Sequence, residues 1–271
     1  MRFDSNEAWK EATTAVAANR DMLLAITGVF ILLPAFAAMV FMPEPAAAPK
    51  GTAEDVLAAY GTYFEQVWPY LLGTMVLHLI GTLAMIVLIT DPRRPTVSEA
   101  IRTGLIRAGT AGGAMVILLF ALSFVAALPL NLAALTGSAN LSMAGMAAGL
   151  ALLFYGLARS LPVMPVVVVE RIANPFAALR RAIVLSRRNG ARLMGFYALI
   201  FLAFLLIRQL FLAGLTIVLD LVIGGAATHL VIALAASSID AAMSVYLAAV
   251  LAAIHRQLAS GHHAASAPTA R

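Results

Sequence analysis

The chain has no cysteine and few charged side chains. Only 11% of its 271 residues are Asp, Glu, Lys or Arg, whereas 62% are hydrophobic. The lack of cysteine excludes disulfides, thiolate metal sites and thiol catalysis. A charged fraction far below the roughly 25% typical of soluble domains leaves too little polar surface for an ordinary water-exposed protein. The composition therefore predicts a protein whose main solvent is a lipid bilayer.

Motifs of the common enzyme classes are also lacking. The sequence has no His-Glu-x-x-His zinc motif, no phosphate-binding loop and no Gly-x-Ser-x-Gly nucleophile elbow. The triplet Ser260-Gly261-His262 stands without the companion motifs of membrane phosphatases. His262 and His263 alone supply too few ligands for a specific metal site. We therefore expect no enzymatic activity, no cofactor and no metal.

Six apolar runs are long enough to cross the roughly 30 Å hydrocarbon core of a bilayer, which takes about 20 helical residues. The predicted spans are residues 22–42, 67–89, 110–135, 143–169, 193–219 and 229–255. We expect an all-α, polytopic membrane protein with one membrane domain, residues 1–255, and a short cytoplasmic tail, residues 256–271. Pro162 and Pro165 are expected to end the fourth span, because proline removes a backbone donor.

The distribution of Arg and Lys predicts the orientation. Almost all of them lie in segments that join the spans on one side, whereas Lys50 is alone on the other side. Because cytoplasmic loops carry the positive charge, both termini are predicted to lie in the cytoplasm, with the protein in the bacterial inner (plasma) membrane. The net charge of +5 comes from these short segments beside the apolar runs, which is the pattern of membrane anchoring. We therefore expect no nucleic-acid partner. The alternative for the N-terminus is a signal peptide cleaved near residues 46–48.

Three segments share one plan, in which a helix cap and a short amphipathic helix precede a long apolar run. They are residues 5–20, 96–108 and 174–189, and their cores align as Glu-Ala-Trp-Lys, Glu-Ala-Ile-Arg and Ala-Ala-Leu-Arg. The pattern predicts a threefold repeat of an amphipathic helix followed by a helical hairpin, over residues 5–90, 96–170 and 174–255. The three amphipathic helices are expected on the cytoplasmic face.

The third amphipathic segment is the most basic. A step of about 100° per residue places its arginines mostly on one side and Phe176, Leu179, Ala182 and Ile183 mostly on the other. Such a helix favours the interface with anionic lipid, although a charged loop that only fixes the topology is the alternative. The residues expected at lipid headgroups or at the interface are Trp9, Arg102, Arg107, Arg180, Arg181, Arg187 and Arg188.

Four ionisable residues of the predicted spans are candidates for a functional site. Arg208 and Asp240 have matched depth in the fifth and sixth spans, and an unpaired charge there costs at least ~2.5 kcal/mol, so we expect them to pair. The pair is either a structural contact between helices or part of a substrate or proton pathway. Arg159 and His78 form a second polar level. Arg159 is expected to snorkel, to bind a lipid phosphate or to share Asp240, whereas His78 fits a hydrogen-bonded core histidine or a ligand.

Two pairs of glycines have the spacing that permits close approach of membrane helices. They are Gly109 with Gly113 and Gly145 with Gly149. Packing within one chain is the favoured interpretation, and a dimer interface is the alternative.

Residues 154–199 carry a recognisable set of features. They combine Arg159 and two prolines at the end of the fourth span with Glu170-Arg171, Asn174-Pro175, Ala178-Leu179 and Ser186-Arg187. This stretch resembles the membrane domain associated with the glycerophosphoryl diester phosphodiesterase family and its stand-alone relatives. The resemblance implies a membrane domain with a role in lipid or in transport. The His-Arg-Gly and Glu-x-Asp motifs of the catalytic domain are not in this sequence, so it does not imply the activity.

The sequence thus favours a non-enzymatic integral membrane protein that organises or modulates a lipid-related membrane process. Its expected partners are the bilayer, anionic lipids and another membrane protein. The first alternative is a small permease with a polar path past Arg159, Arg208 and Asp240. The second is an intramembrane enzyme, which the missing catalytic motifs disfavour.

Overall fold

The computed structural model describes residues 3–43, 52–187, 189–222 and 224–266, and every regular element in these ranges is a helix. Six helical segments within them are long and apolar enough to cross a membrane. The predicted all-α, polytopic fold is thereby confirmed. Arg188, Lys50 and residues 46–48 lie outside the described residues.

The six spans correspond to successive helices. The elements in chain order are α1 (Ser5–Ala18), α2 (Arg20–Thr27), a π-helical segment (Gly28–Leu32), α3 (Leu33–Phe41), α4 (Ala53–Thr90), α5 (Val97–Ala134), α6 (Ala139–Ser160), α7 (Val163–Val169), α8 (Pro175–Ser186), α9 (Gly190–Val222) and α10 (Gly225–Ser266). The first span consists of α2, the π-helical segment and α3. The second, third, fifth and sixth spans are α4, α5, α9 and α10, and the fourth consists of α6 and α7.

The first span changes helical geometry just before a proline. Pro34 has no N–H, and its ring would clash with the carbonyl of Phe30, four residues earlier. The helix widens to π geometry over Gly28–Leu32 and returns to α geometry at Leu33. Phe30 in this segment packs so closely on α4 that a Cβ at Gly81 would lie 2.7 Å from the Cβ of Phe30. Glycine at position 81 therefore permits the close contact between the first two spans.

The fourth span is broken by a turn at Leu161 and Pro162, as the two prolines predict. The chain continues as α7, in which Val163, Val166 and Val167 are fully buried. This short helix packs against α4, α5 and α10. It thus fills the core of the bundle at the end where the chain passes into α8.

Five of the spans form a ring. They pack in the order α4, α5, α6, α9 and α10, and α10 packs back against α4. The first span lies outside this ring against α4 and α10, while α7 and α8 lie at one end of it. We call this the basic end, because it has the arginines of the 91–96 loop, of the first turns of α5, of the 170–174 turn and of α8.

The three amphipathic segments have a common register in the structure. Each begins with an N-cap residue whose side chain accepts a hydrogen bond from the first turn, followed four and eight residues later by a small buried residue. The aligned residues are Asp4, Ala8 and Ala12, then Thr96, Ala100 and Gly104, and finally Asn174, Ala178 and Ala182. Small residues allow each segment to pack closely on the bundle. This register is compatible with the predicted threefold repeat.

The second amphipathic segment differs from the other two because it is continuous with a span. Helix α5 runs unbroken over its 38 residues, Val97–Ala134. Its length of about 57 Å, at 1.5 Å per residue, exceeds the roughly 30 Å of the hydrocarbon core, so its first turns extend beyond the lipid chains. Glycines at 109, 112 and 113 do not end the helix, because glycine retains the N–H that proline lacks.

Candidate functional site

Arg208 of α9 and Asp240 of α10 form a two-pronged ion pair. Arg208 Nε donates to Asp240 Oδ1 at 2.8 Å, and Nη2 donates to Oδ2 at 3.3 Å. This parallel geometry is the strong form of an arginine–carboxylate contact. The structure therefore brings together the two charges whose matched depth indicated a pair.

The surroundings of this pair are polar. Arg208 Nη1 donates to Gln209 Oε1 at 3.1 Å, and the backbone oxygen of Asp240 accepts from Ser244 Oγ at 2.8 Å. Helices α4, which carries His78, and α9 both pack against α10 in the ring. His78 has an exposed side chain, so it is not the core histidine that was one interpretation of the sequence.

Arg159 belongs to a different part of the molecule. Its Nη2 donates to the carbonyl of Ile183 in α8 at 2.9 Å, and its own carbonyl accepts from Ser186 Oγ at 2.8 Å. Its guanidinium carbon lies 5.8 Å from the centre of the Tyr155 ring. Arg159 thus fastens α6 to α8 at the basic end, and the expectation that it shares Asp240 with Arg208 is wrong, because the last turn of α6 packs on α8.

A second charged network joins α7, α8 and α10 at the basic end. Arg181 Nε donates to Glu170 Oε2 at 2.7 Å, and His255 Nε2 lies 3.2 Å from Glu170 Oε1. The His255 side chain is only 6% exposed. Arg181 is therefore held by Glu170 rather than free for a lipid headgroup.

Sequence reasoning missed this network because its members are far apart in the chain. Glu170 and His255 are separated by 85 residues, and nothing local indicates their contact. Two features of the sequence could have indicated it. Glu170 is a lone carboxylate beside several arginines, and His255 is a histidine at the end of the last apolar run.

Helix α1 packs on the sixth span through an aromatic contact. Trp9 stacks on Tyr246 with ring centres 5.9 Å apart, and Glu11 forms an ion pair with Arg256. The N–H of Phe3 donates to Asn189 Oδ1 at 3.1 Å. Trp9 is thus a packing residue that remains 38% exposed, rather than a side chain directed wholly into lipid.

The arginines of α5 and α8 divide into bound and exposed ones. Arg107 Nη1 donates to the carbonyl of Arg171 at 3.2 Å. Arg102, Arg180 and Arg187 are exposed. These three remain available for contacts with lipid headgroups. Arg181 is held by Glu170, whereas Arg107 uses Nη1 for its protein partner and keeps its other N–H donors.

The two faces of α8 differ from the predicted division. Its inner face consists of Ala178, Leu179, Ala182 and Leu185, which are all buried. Phe176 and Ile183 are 66% and 40% exposed, on the outside with Arg180 and Arg187. The predicted division, which grouped Phe176 and Ile183 with Leu179 and Ala182 opposite the arginines, is therefore wrong, because the small residues of α8 make the closest contact with the bundle. The outer face therefore combines apolar and basic side chains.

The fold and its internal charges define the chain as an all-helical, multi-pass membrane protein with an ion pair inside the membrane region. No group of three or more His, Asp or Glu side chains that could hold a metal ion occurs in the described ranges. No protein-family model, curated protein or solved structure matches the chain. The resemblance over residues 154–199 therefore stays a hypothesis.

Proposed function

We propose that this protein is a non-enzymatic component of the bacterial plasma membrane that binds lipid at its basic end and modulates a lipid-related process. The basic end faces the cytoplasm in this proposal. The outer face of α8 is the observation that carries it. The resemblance of residues 154–199 to the phosphodiesterase-associated membrane domain agrees with a role in lipid, without the phosphodiesterase activity.

The chemistry of α8 suits the boundary between lipid chains and headgroups. Exposed Phe176 and Ile183 would enter the acyl boundary, while Arg180 and Arg187 would meet anionic headgroups. Each arginine near an anionic surface contributes about 1 kcal/mol. A positively charged helix that only fixed the topology would not require large exposed apolar residues beside its arginines.

The helix is also held in a defined position. Asn174 caps its N-terminus, Arg181 binds Glu170, and Ser186 Oγ donates to the Arg159 carbonyl. These contacts fix the face that α8 presents to the membrane. A fixed face loses less conformational entropy when lipid binds, which favours lipid binding in one orientation.

A lipidomic comparison tests this proposal. Deleting the gene should alter the phospholipid composition of the membrane, and the unaltered chain should restore it. A chain with Arg180→Gln and Arg187→Gln should be produced normally but fail to restore the composition. A chain with Arg20→Gln and Arg94→Gln, which loses the same charge at exposed sites outside α8, is the matched control. An unchanged lipid composition in the deletion strain would contradict the proposal.

A small permease is the second candidate function. The Arg208 and Asp240 side chains are 25% and 32% exposed, so the ion pair is not sealed inside the bundle. Arg208 of α9 binds Asp240 of α10, and the two helices are neighbours in the ring. A charged pair that is partly open to its surroundings favours a path between these helices for a small charged substrate or a proton. Arg159 is not part of this path, because it is bound to α8.

A further inference from the structure

A cavity of about 400 Å³ opens at the basic end between three parts of the chain. The loop after α4 contributes Asp91 and Arg93, α5 contributes Thr103 and Arg107, and the turn after α7 contributes Arg171. Three arginines thus surround one carboxylate. Asp91 Oδ1 accepts from the backbone N–H of Arg93 at 3.0 Å and lies 4.0 Å from Arg93 Nε. The cavity therefore retains excess positive charge.

The turn after α7 is fixed against α5 by two hydrogen bonds. Arg107 Nη1 donates to the carbonyl of Arg171 at 3.2 Å, and Thr110 Oγ1 donates to the carbonyl of Ala173 at 3.0 Å. These bonds place Arg107 and Arg171 together at the wall of the cavity. The Arg107 guanidinium and the backbone of Arg171 are therefore positioned by the fold before any ligand is present.

The backbone at the cavity is strained. Arg171 has φ +55° and Arg94, next to the cavity, has φ +51°. This left-handed conformation is disfavoured for residues other than glycine, and it persists where the surrounding structure imposes it. At Arg171 it accompanies the hydrogen bond from Arg107 to the Arg171 carbonyl. Arginine at position 171 therefore has a conformational cost that glycine would avoid.

We propose that this cavity binds a phosphate group, with Arg93, Arg107 and Arg171 as its cationic ligands. Guanidinium groups match phosphate oxygens through paired, charge-assisted hydrogen bonds. The phosphate comes from the headgroup of a membrane phospholipid or from a soluble phosphate ester. The assignment to a phospholipid rests on the proposed function, and in that case the headgroup phosphate is the group that the cavity recognises.

Calorimetric titration of the purified, full-length protein in detergent tests the site. The titrants are dihexanoyl phosphatidylglycerol below its micelle concentration, glycerol 3-phosphate, inorganic phosphate and dihexanoylglycerol, which lacks phosphate. A phosphate-bearing titrant should bind, and dihexanoylglycerol should not. Arg171→Gly should weaken binding about tenfold, because one charge-assisted contact is lost. Glycine adopts the same positive φ, so the turn is expected to keep its conformation.

Arg94→Gly is the matched control, because it removes the same charge from the same strained conformation outside the cavity. It should leave the affinity unchanged, and Arg107→Gln should weaken binding as Arg171→Gly does. Binding restricted to the phospholipid assigns the site to a headgroup, whereas equal binding of glycerol 3-phosphate or inorganic phosphate assigns it to a soluble ligand.

Three results would overturn the site. They are no binding of any phosphate-bearing titrant, equal binding of dihexanoylglycerol, and equal weakening by Arg94→Gly and Arg171→Gly. The outcome is distinct from that of the lipidomic test. Normal phosphate binding with an unchanged lipid composition would contradict the proposed function and support the site. No phosphate binding with an altered lipid composition would contradict only the site.

Discussion

Charged side chains inside the membrane region are stabilised by specific partners. Arg208 and Asp240 pair in the ring, and Glu170 binds both Arg181 and His255 at the basic end. A charge without such a partner would be costly in a medium of low polarity. The positions of these residues thus depend on each other, and substitution of one residue changes the energy of its partner.

The Arg208–Asp240 pair predicts a double-mutant result. Asp240→Asn and Arg208→Gln should each lower the thermal stability of the purified protein, because each leaves one charge unpaired. The loss should be smaller than the ~3–5 kcal/mol of a fully buried pair, since both side chains retain some exposure. The double variant should recover much of the loss.

Asp220→Asn is the control for these three variants, because Asp220 is exposed near the C-terminal end of α9. It should leave the melting temperature nearly unchanged. Single variants that behave like the parent would show that the pair contributes no stability. A stable double variant that fails to restore the deletion phenotype would favour the permease.

Two glycines, one in α5 and one in α6, make a second prediction at the scale of single residues. A Cβ at Gly149 would lie 2.4 Å from the carbonyl oxygen of Ala126 in α5, and a Cβ at Gly109 would meet nothing within 4 Å. Gly149→Ala should therefore destabilise the protein by about 1–3 kcal/mol through overpacking. Gly109→Ala should not destabilise it, because alanine has the higher helix propensity.

Thermal unfolding of the two variants in the same detergent measures this difference. Equal stability of Gly149→Ala and the parent would contradict the close contact between α5 and α6. The contact also shows that Gly145 and Gly149 pack within one chain, as the favoured interpretation of their spacing predicted.

At the scale of elements, the short helices fix the geometry of the basic end. Helix α7 fills the core between α4, α5 and α10, and α8 lies against α5, α6 and α7. The turn at Leu161 and Pro162 breaks the fourth span, so that its last part packs as the separate helix α7. The outer face of α8 is thereby directed away from the bundle.

Spin labelling tests the position of α8. The chain has no cysteine, so single cysteines can be introduced without a background. In bilayers, a label at Phe176→Cys should collide with lipid-soluble oxygen, and one at Arg187→Cys should collide with a water-soluble nickel complex. A label at Leu179→Cys, which replaces a buried residue, should be protected from both. Equal collision of the nickel complex at positions 176 and 187 would place α8 in water.

At the scale of the whole molecule, the arginines gather at one end of a ring of spans. The loop of residues 135–138 at the other end carries no arginine or lysine. Because positive loops are retained in the cytoplasm, the basic end is expected to face the cytoplasm. The lipid contacts proposed for α8 and for the phosphate cavity would then lie on the cytoplasmic leaflet.

Labelling of intact cells tests this orientation. A membrane-impermeant maleimide should react with Thr136→Cys in intact cells, since Thr136 is exposed at the end opposite to the arginines. It should react with Arg94→Cys only after the cells are broken. The reverse pattern would invert the orientation and move the proposed lipid contacts to the other leaflet.

Features that depend on neighbouring residues in the chain could be predicted from the sequence. The six spans follow from local hydropathy, and the break before α7 follows from two prolines. The pairing of Arg208 with Asp240 was also predictable, because depth along a helix is its residue count multiplied by a constant rise.

The tertiary structure alone decided which helices are neighbours and which faces they present. It assigned Arg159 to α8, brought His255 to Glu170, and enclosed the cavity between Arg93, Arg107 and Arg171. Each of these contacts depends on helix rotation and on the order of packing around the ring. Those quantities follow from the shape complementarity of the whole bundle, which no short stretch of sequence specifies.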